Sequence, residues 1–530
     1  MQLRNFFAAF IFSFLYSCSI DGTSWDIDGL APVVETTFTL QDAIGNTVLQ
    51  ENPDSALILN YQDTLSLFDL DSLIAIPDTM YAYDIKWTLP NFTIPPGSTL
   101  PAFPFKLEFG IGNRADLTSA IISSGEINVK IKSVIPRKVS VQYTIPKATL
   151  NGVPFTITET IPAATPGDTT FFTKTIDLSG YLLDLKGVNA NEVNVLYIYL
   201  TPTFDPNGDP YPITNQQFLF KAENRLNEIQ PAFVQGKFKS VNEQINSELL
   251  STQLSSFIKG GWINLDSIRL QLKFINSLGL DMRFRILQLQ SVSEIYQNTL
   301  SLSHPSIGQF INLERPQHIP NSIPPVIPSQ YSMVFNSGNS NIEQLVENLP
   351  DRFNLSAQLQ LNPNSQVQSA NDFIYTSYPP KITLSVSTPL RASVQNISFI
   401  DTLENPVFNE IQIDRFLDGE LKLQVENKFP LGAEIQLYTV SESGVITDSL
   451  ITQNIVSPAP VNAQNRVVTS LFSTLNFPFE LNKAYHIKNA SHIIIKAKFN
   501  TSPSMQLLQM YSDYFLRIKL KADIKYRIQL

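Results

Sequence analysis

Residues 515–530 read Phe-Leu-Arg-Ile-Lys-Leu-Lys-Ala-Asp-Ile-Lys-Tyr-Arg-Ile-Gln-Leu. Leu516, Ile518, Leu520, Ala522, Ile524, Tyr526, Ile528 and Leu530 are apolar at every second position. Arg517, Lys519, Lys521, Asp523, Lys525 and Arg527 fill the gaps. Successive side chains of a strand point to opposite faces, so such a run buries one face and wets the other. The stretch predicts one long strand or two shorter ones. A membrane β-barrel strand is the competing reading, but barrel chains usually end on an aromatic residue and Leu530 is not one.

The same period of two recurs upstream. Val193–Leu200 (VNVLYIYL) reads as a strand, and so do the runs at residues 56–61 and 66–70. Three segments share one layout, in which an alternating strand meets a polar residue, then Pro or Gly, then a second alternating strand. They are Ile127–Tyr143 around Ser133 and Pro136, Ile268–Ile286 around Asn276 and Gly279, and Leu421–Tyr438 around Asn427, Pro430 and Gly432. Such a break predicts either a hairpin or a strand that switches sheets. The expected fold class is therefore all-β with minor helix, built of several tandem or repeated β-sandwich-like modules.

One stretch breaks the pattern. Val241, Ile245, Leu249, Leu250, Leu254, Phe257 and Ile258 recur at helical spacing, and Gly260-Gly261 follows as a stop. This predicts a helix near 241–258. A second, short helix is expected from Asn341 to Leu349, ended by Pro350.

The first eighteen residues carry a different message. Arg4 precedes an apolar run from Phe6 to Leu15, which then meets Tyr16, Ser17 and Cys18, the only cysteine of the chain. A charged start, a short apolar core and small residues before a cut describe a secretory signal peptide. The run is too short for a bilayer core of roughly 30 Å. Leu15-Tyr16-Ser17-Cys18 resembles the bacterial lipoprotein lipobox, with Tyr16 where a small residue is more usual. The resemblance implies that Cys18 is lipidated and becomes the first residue of the mature chain. An ordinary signal peptide with a chance cysteine is the alternative.

These features divide the chain as follows. Residues 1–17 are a lipoprotein signal peptide and 18–30 a lipidated tether. An N-terminal β segment covers 31–104 and closes on the prolines at 90, 95, 96, 101 and 104. A β-sandwich-like module follows at 105–230. A β module with the helix occupies 231–390, and a C-terminal β module 391–530. The lipobox, the tether and the recurring strand units together resemble large uncharacterised β-rich lipoproteins of the Bacteroidota outer membrane and cell surface. The resemblance implies a lipid-anchored outer-membrane protein on the periplasmic or cell-surface face.

The triplet Asp-Ser/Thr-apolar is similar to the O-glycosylation acceptor of Bacteroidota envelope proteins. It clusters at Asp54-Ser55-Ala56, Asp63-Thr64-Leu65, Asp71-Ser72-Leu73 and Asp78-Thr79-Met80. The similarity makes Ser55, Thr64, Ser72 and Thr79 candidate acceptors, although strand-edge turns alone produce such triplets.

Composition narrows the chemistry. The 530 residues carry a formal net charge of −10, and no long basic run is present, which argues against a nucleic-acid partner. With Cys18 lipidated, the mature chain has no thiol for disulfides or nucleophilic work. His304, His318, His486 and His492 are the only histidines. His486 and His492 lie in a region expected to be strand, where both could share a face, but no carboxylate pattern completes a metal site. The Asp205-Pro206-Asn207-Gly208-Asp209 turn clusters hard oxygen ligands without the bidentate Glu of an EF-hand. Carboxylate pairs such as Asp26/Asp28 and Asp69/Asp71 read as turn carboxylates before they read as glycosidase pairs. No HExxH, Gly-x-Ser-x-Gly or P-loop motif occurs.

The expectation is a non-catalytic scaffold or binding protein of the envelope, without cofactor or metal, whose protein, glycan or lipid partner the sequence does not name. Two alternatives stand beside it. One is a carrier of amphipathic ligands resembling tubular lipid-binding proteins, in which curved sheets wrap a long helix. The other is a surface lipoprotein that binds or hydrolyses glycans, against which the scarcity of tryptophan (Trp25, Trp87 and Trp262) counts. A continuous apolar groove would favour the carrier, and an exposed aromatic strip the glycan reading.

Overall fold

The structure, a computed structural model, describes residues 24–44, 49–67, 70–112, 114–251, 258–320, 322–364, 370–404, 413–501 and 506–529. It is 62% strand and 5% helix, in many antiparallel sheets that form an all-β, multi-sandwich fold.

The chain opens with β1 (Ser24–Thr39), α1 (Leu40–Ile44), β2 (Leu49–Glu51), β3 (Leu57–Ser66), α2 (Asp71–Ile74), β4 (Thr79–Lys86) and β5 (Phe92–Ile94). The first sandwich is built from β6 (Phe103–Glu108), β7 (Ala115–Ser133), β8 (Val139–Leu150), β9 (Val153–Ile161), β10 (Thr170–Asp177), β11 (Leu182–Asp184), β12 (Val195–Phe204), β13 (Tyr211–Ile213) and β14 (Phe218–Phe238). The second holds β15 (Val241–Ser251), β16 (Trp262–Leu265), β17 (Arg269–Asn276), β18 (Met282–Ser293), β19 (Asn298–Ser301), β20 (Ile311–Leu313), β21 (Gln317–His318), β22 (Val326–Ile327) and β23 (Ser329–Phe335). It continues with α3 (Ile342–Glu347), β24 (Arg352–Leu361), β25 (Asp372–Tyr375) and β26 (Lys381–Pro389). The third holds β27 (Arg391–Gln395), β28 (Ile397–Glu404), β29 (Phe416–Asn427), β30 (Gly432–Val440), β31 (Ile446–Val456), β32 (Leu471–Pro478), α4 (Leu481–Lys488), β33 (His492–Asn500), β34 (Leu508–Gln509) and β35 (Phe515–Gln529).

One strand arrangement occurs three times. One sheet pairs β4-β14-β7-β10 in the first sandwich, β3-β26-β17-β23 in the second and β1-β35-β29-β32 in the third. The other sheet pairs β6-β12-β8-β9, β15-β24-β18-β19 and β28-β33-β30-β31. In the first sandwich β11 pairs with both β7 and β8 and joins the two sheets into one of ten strands. In each of the three segments noted above, the first strand lies in one sheet and the second in the other, so the chain switches sheets and does not form a hairpin. Alternation explains why such strands stack: β17, β18, β24 and β33 bury every second residue almost without exception.

The N-terminal segment is shared among all three sandwiches. β1 pairs with β35 of the third, β3 with β26 of the second and β4 with β14 of the first. The chain therefore runs back along the whole row before it turns at β5, which pairs with β13, and returns through the sandwiches in order. The three bodies follow without a linker. Only Lys239 and Ser240 separate β14 from β15, and only Leu390 separates β26 from β27. Each joint is also cross-paired, since β25 of the second sandwich adds to β14 of the first, and β27 of the third adds to β16 of the second.

The helix expected near 241–258 is a correction. Val241–Ser251 is strand β15, paired antiparallel with β24 from Val241↔Leu361 to Ser251↔Arg352. A spacing of four serves a strand face as well as a helix face, so Val241, Ile245 and Leu249 fit either period. The partner decides, because β24 presents an open edge. The polar positions complete the ladder: Gln358 Nε2 donates to Asn242 Oδ1 at 2.7 Å, and Ser356 Oγ donates to Asn246 Oδ1 at 2.7 Å. Leu254 and Phe257 of the expected stripe lie outside the described residues. The short helix expected at 341–349 is α3.

Candidate functional site

An apolar space of about 150 Å³ lies where the second and third sandwiches meet. Several distant stretches of chain build it. Phe38 and Leu40 come from the end of β1 and the start of α1, and Leu59 and Tyr61 from β3. Ile263 and Leu265 of β16, with Ala392 and Val394 of β27, form the sheet that joins the bodies. Val346 and Phe353 enter from the α3–β24 corner, and Phe429, Leu431 and Phe499 from the third sandwich. Among the described residues no charged side chain lines the space, and the hydroxyls of Thr39 and Tyr61 are the only polar side-chain groups besides the Met510 sulfur. An apolar cavity of this size admits a molecule as large as benzene. The lining offers mainly shape and dispersion.

A closed backbone ring holds the wall. Leu57 N donates to Met510 O, Met510 N to Leu390 O and Leu390 N to Leu57 O, each at 2.9 Å. This ties the N-terminal segment to both neighbouring sandwiches. Gln509 Nε2 sits over the ring, 3.1, 3.3 and 3.0 Å from the carbonyl oxygens of Leu57, Leu390 and Met510.

The joint between the first and second sandwiches is lined by rings. His318 stacks on Phe373, with ring centres 4.1 Å apart, and its Nε2 is 3.0 Å from the Tyr375 hydroxyl. Burial holds the His318 pKa below the ordinary 6.5. Beside it Asp372 is almost fully buried and takes hydrogen bonds from Arg315 and, at 2.9 Å, from Asn362 Nδ2. Burial nonetheless pushes the Asp372 carboxyl above the usual carboxylate range. The arrangement pairs a buried carboxylate with a solvent-exposed guanidinium at a joint, which keeps the buried group partnered.

The residues singled out in the sequence are scattered. Cys18 and Asp69 lie outside the described residues. Ser55 sits in a turn at φ 67° before β3, Thr64 is exposed on β3 with its Oγ1 3.2 Å from Thr383 Oγ1, and Ser72 is in α2. Thr79 opens β4 and donates to Pro77 O at 2.9 Å. The structure thus spreads these four over two strands, a turn and a helix. His486 is on helix α4 and His492 opens strand β33, so the shared strand face expected for them does not exist. Among the described residues no group of three His, Cys, Asp or Glu side chains stands close enough to hold a metal. Asp205 and Asp209 face cations instead, Lys138 at 3.9 Å and Arg137 at 3.7 Å. Asp26 is paired with Arg527 at 3.1 Å. The cavity was not visible in the sequence, because its walls come from stretches more than four hundred residues apart.

No protein family matches this chain, and no curated relative does. Among solved structures it is similar to a protein of Parabacteroides distasonis ATCC 8503 assigned as secreted. That match has 13% identity and a TM-score of 0.29, over 56% of this chain and 88% of that one. It is also similar to a structure from the Gt strain of infectious bursal disease virus, at 8% identity and a TM-score of 0.11, over 92% of this chain and 85% of that one. At these TM-scores neither match bears on fold or function.

Proposed function

We propose that this chain is a lipid-anchored protein of the cell envelope, held at the outer membrane through Cys18, that works without catalysis as a scaffold or binding protein. The observation that carries this reading is the way the N-terminal segment crosses all three sandwiches and completes one sheet in each. Linker-free joints and a shared strand suit a body that must hold its shape while it presents a surface. They would hinder an enzyme that closes on its substrate. Labelling cells with radioactive palmitate tests the anchor. Wild type should incorporate label and Cys18→Ala should not, and equal labelling of the two would sink it.

A second reading, carriage of an apolar or amphipathic ligand, is supported by the cavity of about 150 Å³ between the second and third sandwiches. Mass spectrometry of lipids extracted from the purified protein tests it. A stoichiometric apolar molecule is the expected result, and an empty protein would remove the reading.

A further inference from the structure

β1 and β35 pair along their whole length, from Thr39↔Phe515 out to Ser24↔Gln529. Residues directly opposite in an antiparallel ladder share a face. Ile27, Tyr526 and Phe416 therefore form one row across three strands, and Trp25 with Ile528 forms the next row outward. The row begins as core: Phe416 is 8% exposed and packs edge-on against Phe479. It ends in the open, where Ile27 is 47% and Trp25 64% exposed. On the opposite face Arg527 pairs with Asp26 at 3.1 Å and Lys525 with Asp418 at 3.7 Å. The apolar face of the third sandwich thus continues past its body as a two-stranded edge bearing Trp, Ile, Tyr and Ile, while the other face carries charged residues.

The chain outside the described residues leaves from the same end. Cys18 precedes Ser24 by six positions, so it lies within roughly 20 Å of Ser24 even with the chain fully extended. We infer that this end of the third sandwich is a membrane-facing surface, on which Trp25, Ile27, Tyr526 and Ile528 seat in the interfacial layer of the leaflet that holds the Cys18 lipid. The choice of occupant rests on the lipidation reading above. The chemistry fits a lipid surface because Trp and Tyr settle at the headgroup level, with an apolar ring inward and a polar atom toward water. A protein partner would also cover these residues, but it would have to share the space with a bilayer no more than a short tether away. The third sandwich is then membrane-proximal, and the first, capped by β5 and β13, stands at the far end of the row.

The test uses the full mature protein in vesicles of acyl-brominated phosphatidylcholine, whose bromines quench only indoles that reach the bilayer. The chain has three indoles, of which Trp25 is 64% exposed, Trp262 40% and Trp87 6%. Quenching should be present in wild type, persist in Trp262→Phe and vanish in Trp25→Phe. Ile27→Asp, at an exposed position, should keep the wild-type melting temperature and lose most of the quenching. Equal quenching in wild type and Trp25→Phe would overturn the inference. The mass of the N-terminal peptide separates the two ideas. An acylated Cys18 with Trp25 unquenched removes the surface and keeps the anchor. An unmodified Cys18 with Trp25 quenched keeps the surface and removes the anchor.

Discussion

Asn276 and Asn427 stand at the same point of two successive sandwiches: each is the last residue of its strand, each is fully buried, and each carboxamide oxygen accepts the backbone amide two residues on at 2.9 Å. Their Nδ2 atoms close the corner from the other side. Asn276 donates to Glu314 O at 2.8 Å, and Asn427 to Leu431 O and Ser457 O, both at 2.9 Å. Ser133 holds the same position in the first sandwich, where its hydroxyl accepts the amide of Ile135 at 3.1 Å and reaches Leu219 O at 3.5 Å. A strand that leaves one sheet for the other must break its ladder inside the core, and the freed backbone groups need partners there. One short polar side chain supplies them.

Truncating these residues should therefore cost stability in proportion to the bonds lost. Asn427→Ala strands an amide and two carbonyls in the core. It should lower stability by about 1–3 kcal/mol, the cost of a buried polar group left unpaired. Ser133→Ala, which loses one good bond and one long one, should cost less. Urea midpoints of the two variants, compared at equal slope, give the ranking. A Ser133→Ala loss larger than that of Asn427→Ala would contradict this account of the corner.

The cavity between the second and third sandwiches makes a prediction of opposite sign. Ala392 lines it from β27. Ala392→Leu adds volume to empty apolar space, and at roughly 24 cal/mol per Å³ of cavity removed this should stabilise by about 1–2 kcal/mol. Benzene should raise the melting temperature of wild type and have little effect on the filled variant. If the two proteins respond alike to benzene, the space is not a binding cavity.

Leu57 tests the coupling between bodies. It is fully buried and belongs to the backbone ring shared with Leu390 and Met510. Leu57→Ala should cost about 2–5 kcal/mol. The loss should appear in the second and third sandwiches together. Hydrogen exchange is the measurement: amides of β26 and of β29 should lose protection in parallel. Loss confined to β26 would show that the N-terminal segment does not bind the two bodies into one unit.

His318 gives the first joint a pH dependence. Burial against Phe233 and Phe373 holds its pKa below 6.5, so the unfolded chain takes up the proton before the folded chain does. Its contribution is then full above about pH 6.5 and is lost as the pH falls through the folded value. Melting temperature should drop on acidification from neutral toward that value. His318→Phe should flatten this part of the profile. A variant with an unchanged profile would assign the acid sensitivity elsewhere.

Local sequence was sufficient wherever a residue's environment depends on its neighbours in the chain. The alternation of residues 515–530 is the alternation of β35, and the polar breaks at Ser133, Asn276 and Asn427 are corners, because a half-buried strand and a short turn are written in consecutive side chains. The stretch at 241–251 shows the limit. Its spacing of four suits both periods, and only the open edge of β24 selects the strand. The remaining features were decided by pairing across the chain. Ser24 lies opposite Gln529, Asn60 opposite Ser387 and Tyr83 opposite Ala222. No local pattern states which strand edge a segment will find, since any half-buried strand offers the same backbone donors and acceptors to any other. The partition of the N-terminal segment among three bodies, the cavity it walls and the exposed Trp25 edge follow from which of those equivalent edges were left free, and that is a property of the assembled sheets alone.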